Sequence, residues 1–223
     1  MQALSKIKNI VLFVVISSSL VNCSSSKYIG DNQFLLSKNI LIENGEKKNI
    51  KELSALIKQQ PNKKILGVIP LYLIVYNLSK EGKDNNYFKK IGEPPVLLNH
   101  RLTRKSSTQI ELYYKNRGYL DAKVDYNVKA HKNKARVTYS IISGKKYKLN
   151  KIKVSPTKNK NIELLIDDVL KNSKIKKGNS YNFKELEKER IRISDRIQNK
   201  GFYQFNKEFI YFLADTNQLN HTV

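Results

Sequence analysis

Hydrophobic and polar positions along the chain form two successive rounds of strand-like and helix-like patterns. In the first round an apolar run predicts a strand over 34–42, and the Asn44-Gly45 pair that follows it predicts a turn. Asn49 and Glu52 are spaced as in a capping box and predict the start of a short helix. Pro61 ends that helix, whose apolar stripe is formed by Leu53, Leu56 and Ile57.

The most apolar internal stretch runs from Ile65 to Leu78 and is flanked by lysines. It contains Gly67 and Pro70 and has only about 14 residues, whereas a membrane-spanning helix needs about 20. We therefore interpret this stretch as a buried segment or a surface-docking helix.

A longer helix and a hairpin complete the first round. Thr103 or Ser106 can cap the helix at its start, and Gly118 is predicted to end it. Two alternating runs then predict strands, and 131–134 reads as the connection of a hairpin. The apolar positions are Val124, Tyr126 and Val128 in the first strand and Val137, Tyr139 and Ile141 in the second.

The second round repeats this order of elements. Strands are predicted over 147–154 and 202–212, with two amphipathic helices between them. Asn182 and Glu185 offer a capping box for the second of these helices. The apolar stripes are Ile162, Leu165, Ile166, Val169 and Leu170 in the first helix and Phe183, Leu186, Ile193 and Ile197 in the second.

The ends of the second helix in each round carry matching sequences. Asn116-Arg117-Gly118-Tyr119 corresponds to Asn199-Lys200-Gly201-Phe202, and the two glycines lie 83 positions apart. A glycine after a helix favours the left-handed conformation of a C-cap. We infer an internal repeat of the order β-α-α-β-β, the alternative being a common helix-end sequence that occurs twice.

The N-terminal segment has the layout of a secretory signal peptide over 1–22, with Lys6 and Lys8 before a short apolar run. Leu20 stands three residues before Cys23, as in a bacterial lipobox, and Cys23 is the single cysteine of the chain. We therefore predict acylation of Cys23 and a short tether over 23–33. An ordinary signal peptide with an incidental cysteine is the alternative.

Composition narrows the possible chemistry. The 42 basic and 19 acidic residues give a net charge of +23, but the lysines are scattered rather than clustered, which indicates a compositional habit more than a nucleic-acid site. One cysteine and three histidines, His100, His131 and His221, form no zinc pattern. There is no phosphate loop and no nucleophile context, and Asp167-Asp168 fits a solvated helix face. We expect no enzyme activity, no cofactor and no metal.

The repeat resembles the polypeptide-transport-associated (POTRA) domain. Three segments resemble the periplasmic part of BamA/TamA-family outer-membrane assembly proteins, in the lipoprotein (TamL-like) form of Bacteroidota. They are Lys58-Gln59-Gln60-Pro61-Asn62-Lys63-Lys64-Ile65-Leu66-Gly67, Tyr76-Asn77-Leu78-Ser79-Lys80 and Ile91-Gly92-Glu93-Pro94-Pro95-Val96. The resemblance covers about residues 23–223.

This resemblance implies an α+β chain of tandem POTRA-like β-α-α-β-β units. The first is expected over 34–145 with an insertion at about 61–100, and the second over 146–223 without its last strand. In the family that last strand is the central one, so the strands over 147–154 and 202–212 are expected to lose their shared partner. Family members also carry a C-terminal barrel that this chain lacks, and we read the chain as a fragment, a truncated product or one piece of a split gene.

The implied function is the binding of unfolded outer-membrane proteins or an assembly partner by β-strand addition. The candidate edge runs from Leu120 to Lys129 and presents Leu120, Ala122, Val124, Tyr126 and Val128. The implied location is the periplasmic side of the outer membrane, reached through the lipid anchor, without a nucleic-acid partner. The alternative is a free-standing basic lipoprotein module that binds anionic lipid or nucleic acid.

Overall fold

The computed structural model describes residues 29–79, 87–155, 160–217 and 219–223. The predicted signal peptide, Cys23 and most of the tether lie outside these residues. The elements in chain order are β1 (Leu35–Glu43), β2 (Glu46–Lys48), α1 (Lys51–Leu56), α2 (Leu71–Asn77), α3 (Tyr87–Ile91), α4 (His100–Asn116), β3 (Lys123–His131), β4 (Lys134–Ile142), α5 (Lys160–Lys171), α6 (Phe183–Gln198) and a 3-10 turn at Lys207–Phe209. The predicted α+β class is confirmed.

The described residues divide into two compact units. The first unit comprises those within 1–109 and 125–140, and the second those within 110–124 and 141–223. The predicted boundary at residue 145 stays a prediction.

The sheet has the strand order β2-β1-β4-β3. Asn44 and Gly45 adopt left-handed φ values of 49° and 87°, which close the antiparallel β1–β2 hairpin. Leu35 N–H donates to the Asn133 carbonyl at 2.9 Å, and the Ser37 hydroxyl donates to the Ala135 carbonyl at 2.7 Å. A step of two residues along β1, from Leu35 to Ser37, moves the bonded carbonyl two residues forward, from Asn133 to Ala135. Strands β1 and β4 therefore run parallel. The last strand of the first round is therefore central, as the resemblance implies.

The helix starts differ from the predictions. Ile50, not Asn49, is the N-cap of α1, and it makes no side-chain capping bond. Asn99, rather than Thr103 or Ser106, caps α4: its side-chain oxygen accepts the N–H groups of the first turn. Ser106 instead bonds the buried hydroxyl of Tyr139 on β4, where burial raises the tyrosine pKa. The Ser106 hydroxyl thus forms a hydrogen bond inside the core, while Asn99, directly before the helix, accepts the N–H groups of its first turn.

The three segments of the resemblance lie against one another in the first unit. The Asn62 amide donates to the Pro94 carbonyl at 2.8 Å and accepts the Val96 N–H at 3.0 Å. A Cβ on Gly92 would lie 2.5 Å from backbone atoms of Tyr76, so that position has room only for glycine. The insertion is therefore built on contacts between its own sequence motifs.

The stretch from Ile65 to Leu78 forms a tight turn followed by helix α2. Of its residues, Leu73 and Asn77 are buried, and several apolar side chains at its beginning are exposed. It is therefore neither a buried segment nor one continuous docking helix. Among the described residues, no helix is long and apolar enough to cross a membrane.

In the second unit α5 and α6 share a core. Val169 on α5 is buried with Ile193 and Ile197 on α6, and partly buried side chains pack against them from Ile166, Leu170, Phe202, Phe205 and Ile210. The Asn182 side chain caps α6, as predicted, by accepting the Lys184 N–H at 3.0 Å.

The two helix ends of the repeat have the same conformation. Gly118 and Gly201 have φ values of 97° and 100°. Tyr119 N–H donates to the Tyr114 carbonyl at 3.1 Å, and Phe202 N–H donates to the Ile197 carbonyl at 3.4 Å. These bonds span the same number of residues, as in a Schellman motif. The predicted left-handed C-caps are confirmed.

The two strands predicted for the second round are wrong. Over 202–212 the chain packs Phe202 and Phe205 onto the helices and then forms the 3-10 turn, which Asn206 caps. Over 147–154 only Lys148 forms bridges, to Ser180 in the antiparallel sense and to Thr222 in the parallel sense. The sequence pattern was insufficient because no long partner strand lies beside either segment among the described residues.

These short pairings nevertheless copy the first unit. There, Leu35 at the start of β1 bridges Leu97 in the antiparallel sense, while β4 lies on the other side of β1 in parallel. Leu97 and Ser180 are 83 positions apart, the same separation as the two glycines. In both units, therefore, the segment that opens the round pairs on one side with the residues just before the longer helix, α4 or α6. On its other side it pairs with a parallel segment, which is β4 in the first unit and the residues around Thr222 in the second. The repeat extends from sequence into backbone pairing.

Candidate functional site

Strand β3 lies at the end of the sheet, beside β4 alone. Only Lys132 and Asn133 connect the two strands, and such a short connection requires an antiparallel hairpin. Lys132 has a left-handed φ of 51°, which allows the tight reversal. The far side of β3 is therefore a sheet edge nine residues long.

The backbone directions along this edge follow from one hydrogen bond. The N–H of Val124 donates to the Glu111 carboxylate at 3.3 Å, so it points away from β4. Backbone groups of a strand point to alternate sides at successive residues. Tyr126, Val128 and Ala130 therefore also turn their N–H and C=O groups outward, and these are the groups that an added strand needs.

The side chains alternate between two faces. Val124 is buried and Tyr126 and Val128 are half-buried, so this row faces the protein interior. The opposite row is exposed and polar: Lys123, Asp125, Asn127 and Lys129. Exposed lysines on an edge discourage unselective pairing with other sheets.

Glu111 on α4 occupies one end of the edge. Its carboxylate lies 2.5 Å from the Lys115 ammonium, one helical turn further on. The hydrogen bond from Lys115 lowers the pKa of Glu111, and the Val124 N–H lowers it further against the opposing effect of burial. Glu111 is therefore ionised at neutral pH and keeps the Val124 N–H occupied. The edge available to a partner begins at Tyr126.

The predicted edge was too long at its start. Leu120 lies in a turn and Ala122 is buried ahead of β3, where its N–H donates to the Tyr119 carbonyl at 3.0 Å. The chain is still completing the reversal after Gly118 at these positions, so their backbone groups are not aligned with the sheet. Val124, Tyr126 and Val128 lie within β3 as predicted.

The opposite edge of the sheet, along β1, is covered by backbone pairing that the sequence did not predict. Leu36 N–H donates to the Val96 carbonyl at 2.8 Å, and Leu98 N–H donates to the Phe34 carbonyl at 2.7 Å. The three-residue strand β2 covers the other end of β1. The two prolines before Val96 did predict an extended segment, but not its partner. The long edge with outward backbone groups is thus on β3.

The described residues hold no group of three or more His, Cys, Asp or Glu side chains that would bind a metal ion. Asp167 and Asp168 are both exposed on α5.

Comparison with solved structures returns POTRA domains of BamA and Omp85. The chain is similar to POTRA domains 3–5 of Haemophilus influenzae BamA at 14% identity and a TM-score of 0.36, covering 86% of this chain and 94% of that one. It is also similar to POTRA domains 1–2 of the periplasmic domain of Omp85 from Anabaena, at 12% identity and a TM-score of 0.37, covering 86% and 93%. No family model and no curated protein matches the chain. Because TM-scores this low do not establish a common fold, the POTRA-like order rests on the strand order described above.

Proposed function

We propose that this chain is a periplasmic polypeptide-binding module of the POTRA type, which binds an extended segment of a client or partner protein by adding it to β3. The observation that carries the proposal is the direction of the backbone groups at Tyr126, Val128 and Ala130. Main-chain hydrogen bonds supply affinity for many sequences, which suits a protein that handles varied unfolded clients. Binding rather than catalysis is the proposed activity.

The edge also sets a preference among clients. Lys129 lies on the exposed face of β3 within the available edge, beside the uncharged Asn127. An added strand with Asp or Glu opposite Lys129 is favoured, because cross-strand pairs of opposite charge are stabilising. We expect this preference to weaken as the salt concentration rises.

The test replaces a backbone donor without removing a rung of the β3–β4 ladder. Val128→Pro deletes an outward N–H, and proline is tolerated on an edge strand when the missing N–H faces solvent. Val128→Thr is the matched control, since it keeps the N–H and the β-branched shape. The probe is a labelled synthetic peptide of alternating valine and serine with two aspartates, titrated against the full chain by fluorescence anisotropy.

We expect Val128→Pro to weaken binding about tenfold and Val128→Thr to bind like the parent. A peptide N-methylated at alternate residues along one edge should also fail to bind, whereas methylation along the other edge should be tolerated. Equal binding by Val128→Pro and the parent would overturn the proposal.

The proposed location on the periplasmic side of the outer membrane rests on the sequence around Cys23. We propose that the Cys23 thiol carries the lipid anchor. Cells fed an alkyne-tagged fatty acid should label the chain, and Cys23→Ala should remove the label. Retention of the label by Cys23→Ala would refute acylation at this residue.

A further inference from the structure

The residues between Ile65 and Ile69 form a small closed turn in the first unit. Ile65 N–H donates to the Ile69 carbonyl at 2.8 Å, and the N–H groups of Val68 and Ile69 donate back to the Ile65 carbonyl at 3.2 and 3.1 Å. Three backbone donors of the turn are thus satisfied inside it. Moving such a turn out of water costs little free energy, because these backbone groups already have hydrogen-bond partners inside the turn.

The tip of this turn is apolar and exposed. Leu66 is 91% exposed and Val68 is 75% exposed, with Gly67 between them. Next to the tip in sequence, Leu71 and Tyr72 on α2 are also exposed. Helix α3, which packs on α2, exposes further apolar residues at Tyr87, Phe88 and Ile91.

Leu66 has a backbone conformation that its side chain disfavours. Its φ is 52°, in the left-handed region that glycine and asparagine adopt more readily. Strain of this kind often marks a functional position. The fold itself gains almost no burial from Leu66 in return. An environment outside the protein that buries the side chain would compensate for the strain.

The charges around the turn favour one kind of environment. Between Ile57 and Glu93 the described residues include five lysines, at positions 58, 63, 64, 89 and 90, and one carboxylate, that of Glu93, which accepts the Lys63 N–H at 3.0 Å. Lys63 and Lys64 directly precede the turn, and the Lys64 ammonium donates to the Ser37 carbonyl at 3.2 Å. Apolar tips with lysines and tyrosines behind them match a bilayer surface, where acyl chains lie beneath anionic headgroups.

We propose that the Ile65–Ile69 turn inserts Leu66 and Val68 into the surface of an anionic lipid bilayer, with the neighbouring lysines on the headgroups. This is independent of strand addition at β3. A protein partner is a poorer match, because Leu66 and Val68 sit on a narrow tip and lysines outnumber carboxylates around it.

The experiment uses the full chain with a reporter placed only at the tip. Because Cys23 is the single cysteine, Cys23→Ser with Val68→Cys allows one environment-sensitive nitrobenzoxadiazole label at the turn. The same label on Ser140→Cys, an exposed position of β4, is the matched control. Vesicles contain phosphatidylcholine alone, or phosphatidylcholine with phosphatidylglycerol, and a spin-labelled lipid serves as quencher.

We expect the tip label to shift to the blue and to be quenched by the lipid spin label in the anionic vesicles. The control label should change little, even if another part of the chain holds the protein on the vesicle. Leu66→Asn, in the labelled tip protein, should reduce the quenching about tenfold. Since asparagine tolerates the left-handed conformation, this variant should unfold no more easily than the parent.

Two results would overturn the proposal. One is an unchanged tip label on anionic vesicles that carry the protein. The other is a blue shift that appears without lipid and grows with protein concentration, which would assign the tip to a second copy of the chain.

Discussion

The carboxylate of Glu111, on the second half of α4, accepts the backbone N–H of Val124 at the start of β3. A helix side chain thereby closes one end of a sheet edge that is otherwise directed outward. The same carboxylate is held by Lys115. The Glu111–Lys115 ion pair on the helix therefore limits how many residues of β3 a partner strand is able to pair with.

Replacing Glu111 with alanine should lengthen the binding edge by one outward N–H. If strand addition occurs at β3, we expect Glu111→Ala to bind the extended peptide about threefold to tenfold more tightly, as one more hydrogen bond becomes available. Lys115→Ala is the control, because it leaves the Glu111 carboxylate in place. Peptide titration of both variants measures the difference, and weaker binding by Glu111→Ala would argue against this role.

The pKa of Glu111 links stability to acid pH. Because the pKa is lowered in the folded protein, the ionised side chain contributes its stability above the ordinary glutamate value of 4.5. That contribution is lost as the pH falls through the lowered value. The free energy of unfolding, measured with urea, should therefore fall less steeply from neutral to acid pH for Glu111→Gln than for the parent. Identical slopes would show that the pKa is not lowered.

The two repeat glycines should respond differently to alanine. A Cβ on Gly118 would lie 2.4 Å from the Tyr181 carbonyl oxygen, whereas a Cβ on Gly201 would meet nothing within 4 Å. We expect Gly118→Ala to cost about 3 kcal/mol, from the left-handed backbone and the clash together. Gly201→Ala should cost about 1 kcal/mol from the backbone alone. Thermal unfolding of the two variants side by side checks this order, and equal losses would contradict it.

The buried ion pair of α6 should matter far more than an exposed one. Glu189 is 4% exposed and meets Arg192 through two contacts of 2.7 and 2.9 Å. Burial raises the pKa of Glu189, but the bonds from Arg192 and Ser173 outweigh it and leave the pKa below its ordinary value. Arg192→Met should cost about 3 kcal/mol, because it leaves a buried carboxylate without its partner.

Lys188→Met is the matched control for that change. Lys188 pairs with Glu185 on the same helix, but both side chains are largely exposed. Exposed pairs are screened by water and salt, so we expect no measurable change in the free energy of unfolding. A loss as large as that of Arg192→Met would show that the helix surface, rather than burial, governs these pairs.

Backbone pairing at the end of the chain predicts a pattern of amide exchange. Lys148 N–H donates to the His221 carbonyl at 3.1 Å, and Asn150 N–H donates to the Val223 carbonyl at 2.7 Å. Removal of residues 219–223 should speed the exchange of these two amides while those of β1 and β4 keep their protection. In the parent, residues over 147–212 should exchange faster than those over 34–142. Equal protection of both regions would contradict the expected marginal stability of the second unit.

Local signals in the sequence were sufficient for much of the architecture. The Asn44-Gly45 turn, the Asn182 cap and the left-handed Gly118 and Gly201 follow from preferences of single residues for particular backbone angles. The amphipathic stripe of α5 follows from helical spacing alone. Such features depend on neighbours a few positions away, which the sequence displays directly.

Features that depend on distant partners were predicted poorly. Asn99 caps α4 because the chain enters the helix from the segment that pairs with β1, whereas Thr103 and Ser106 lie inside the helix. The apolar run over 202–212 did not produce a strand, since Phe202, Phe205 and Ile210 pack on the α5–α6 core instead. A pattern of period two permits a strand, but a partner must supply the hydrogen bonds.

The sequence by itself determined strand β1, helices α1, α4, α5 and α6 and the β3–β4 hairpin, together with the repeat at a separation of 83 residues and the alternation of Val124, Tyr126 and Val128. The tertiary structure alone decided where the open edge on β3 begins, that Glu111 closes one end of it and that Leu66 projects from a strained turn. Backbone preferences are set within a few residues of the chain. Whether a strand lies at a sheet edge, and which residues are exposed, depends on which distant segments pair. The pattern of hydrophobic and polar residues along the sequence contains little information about that pairing.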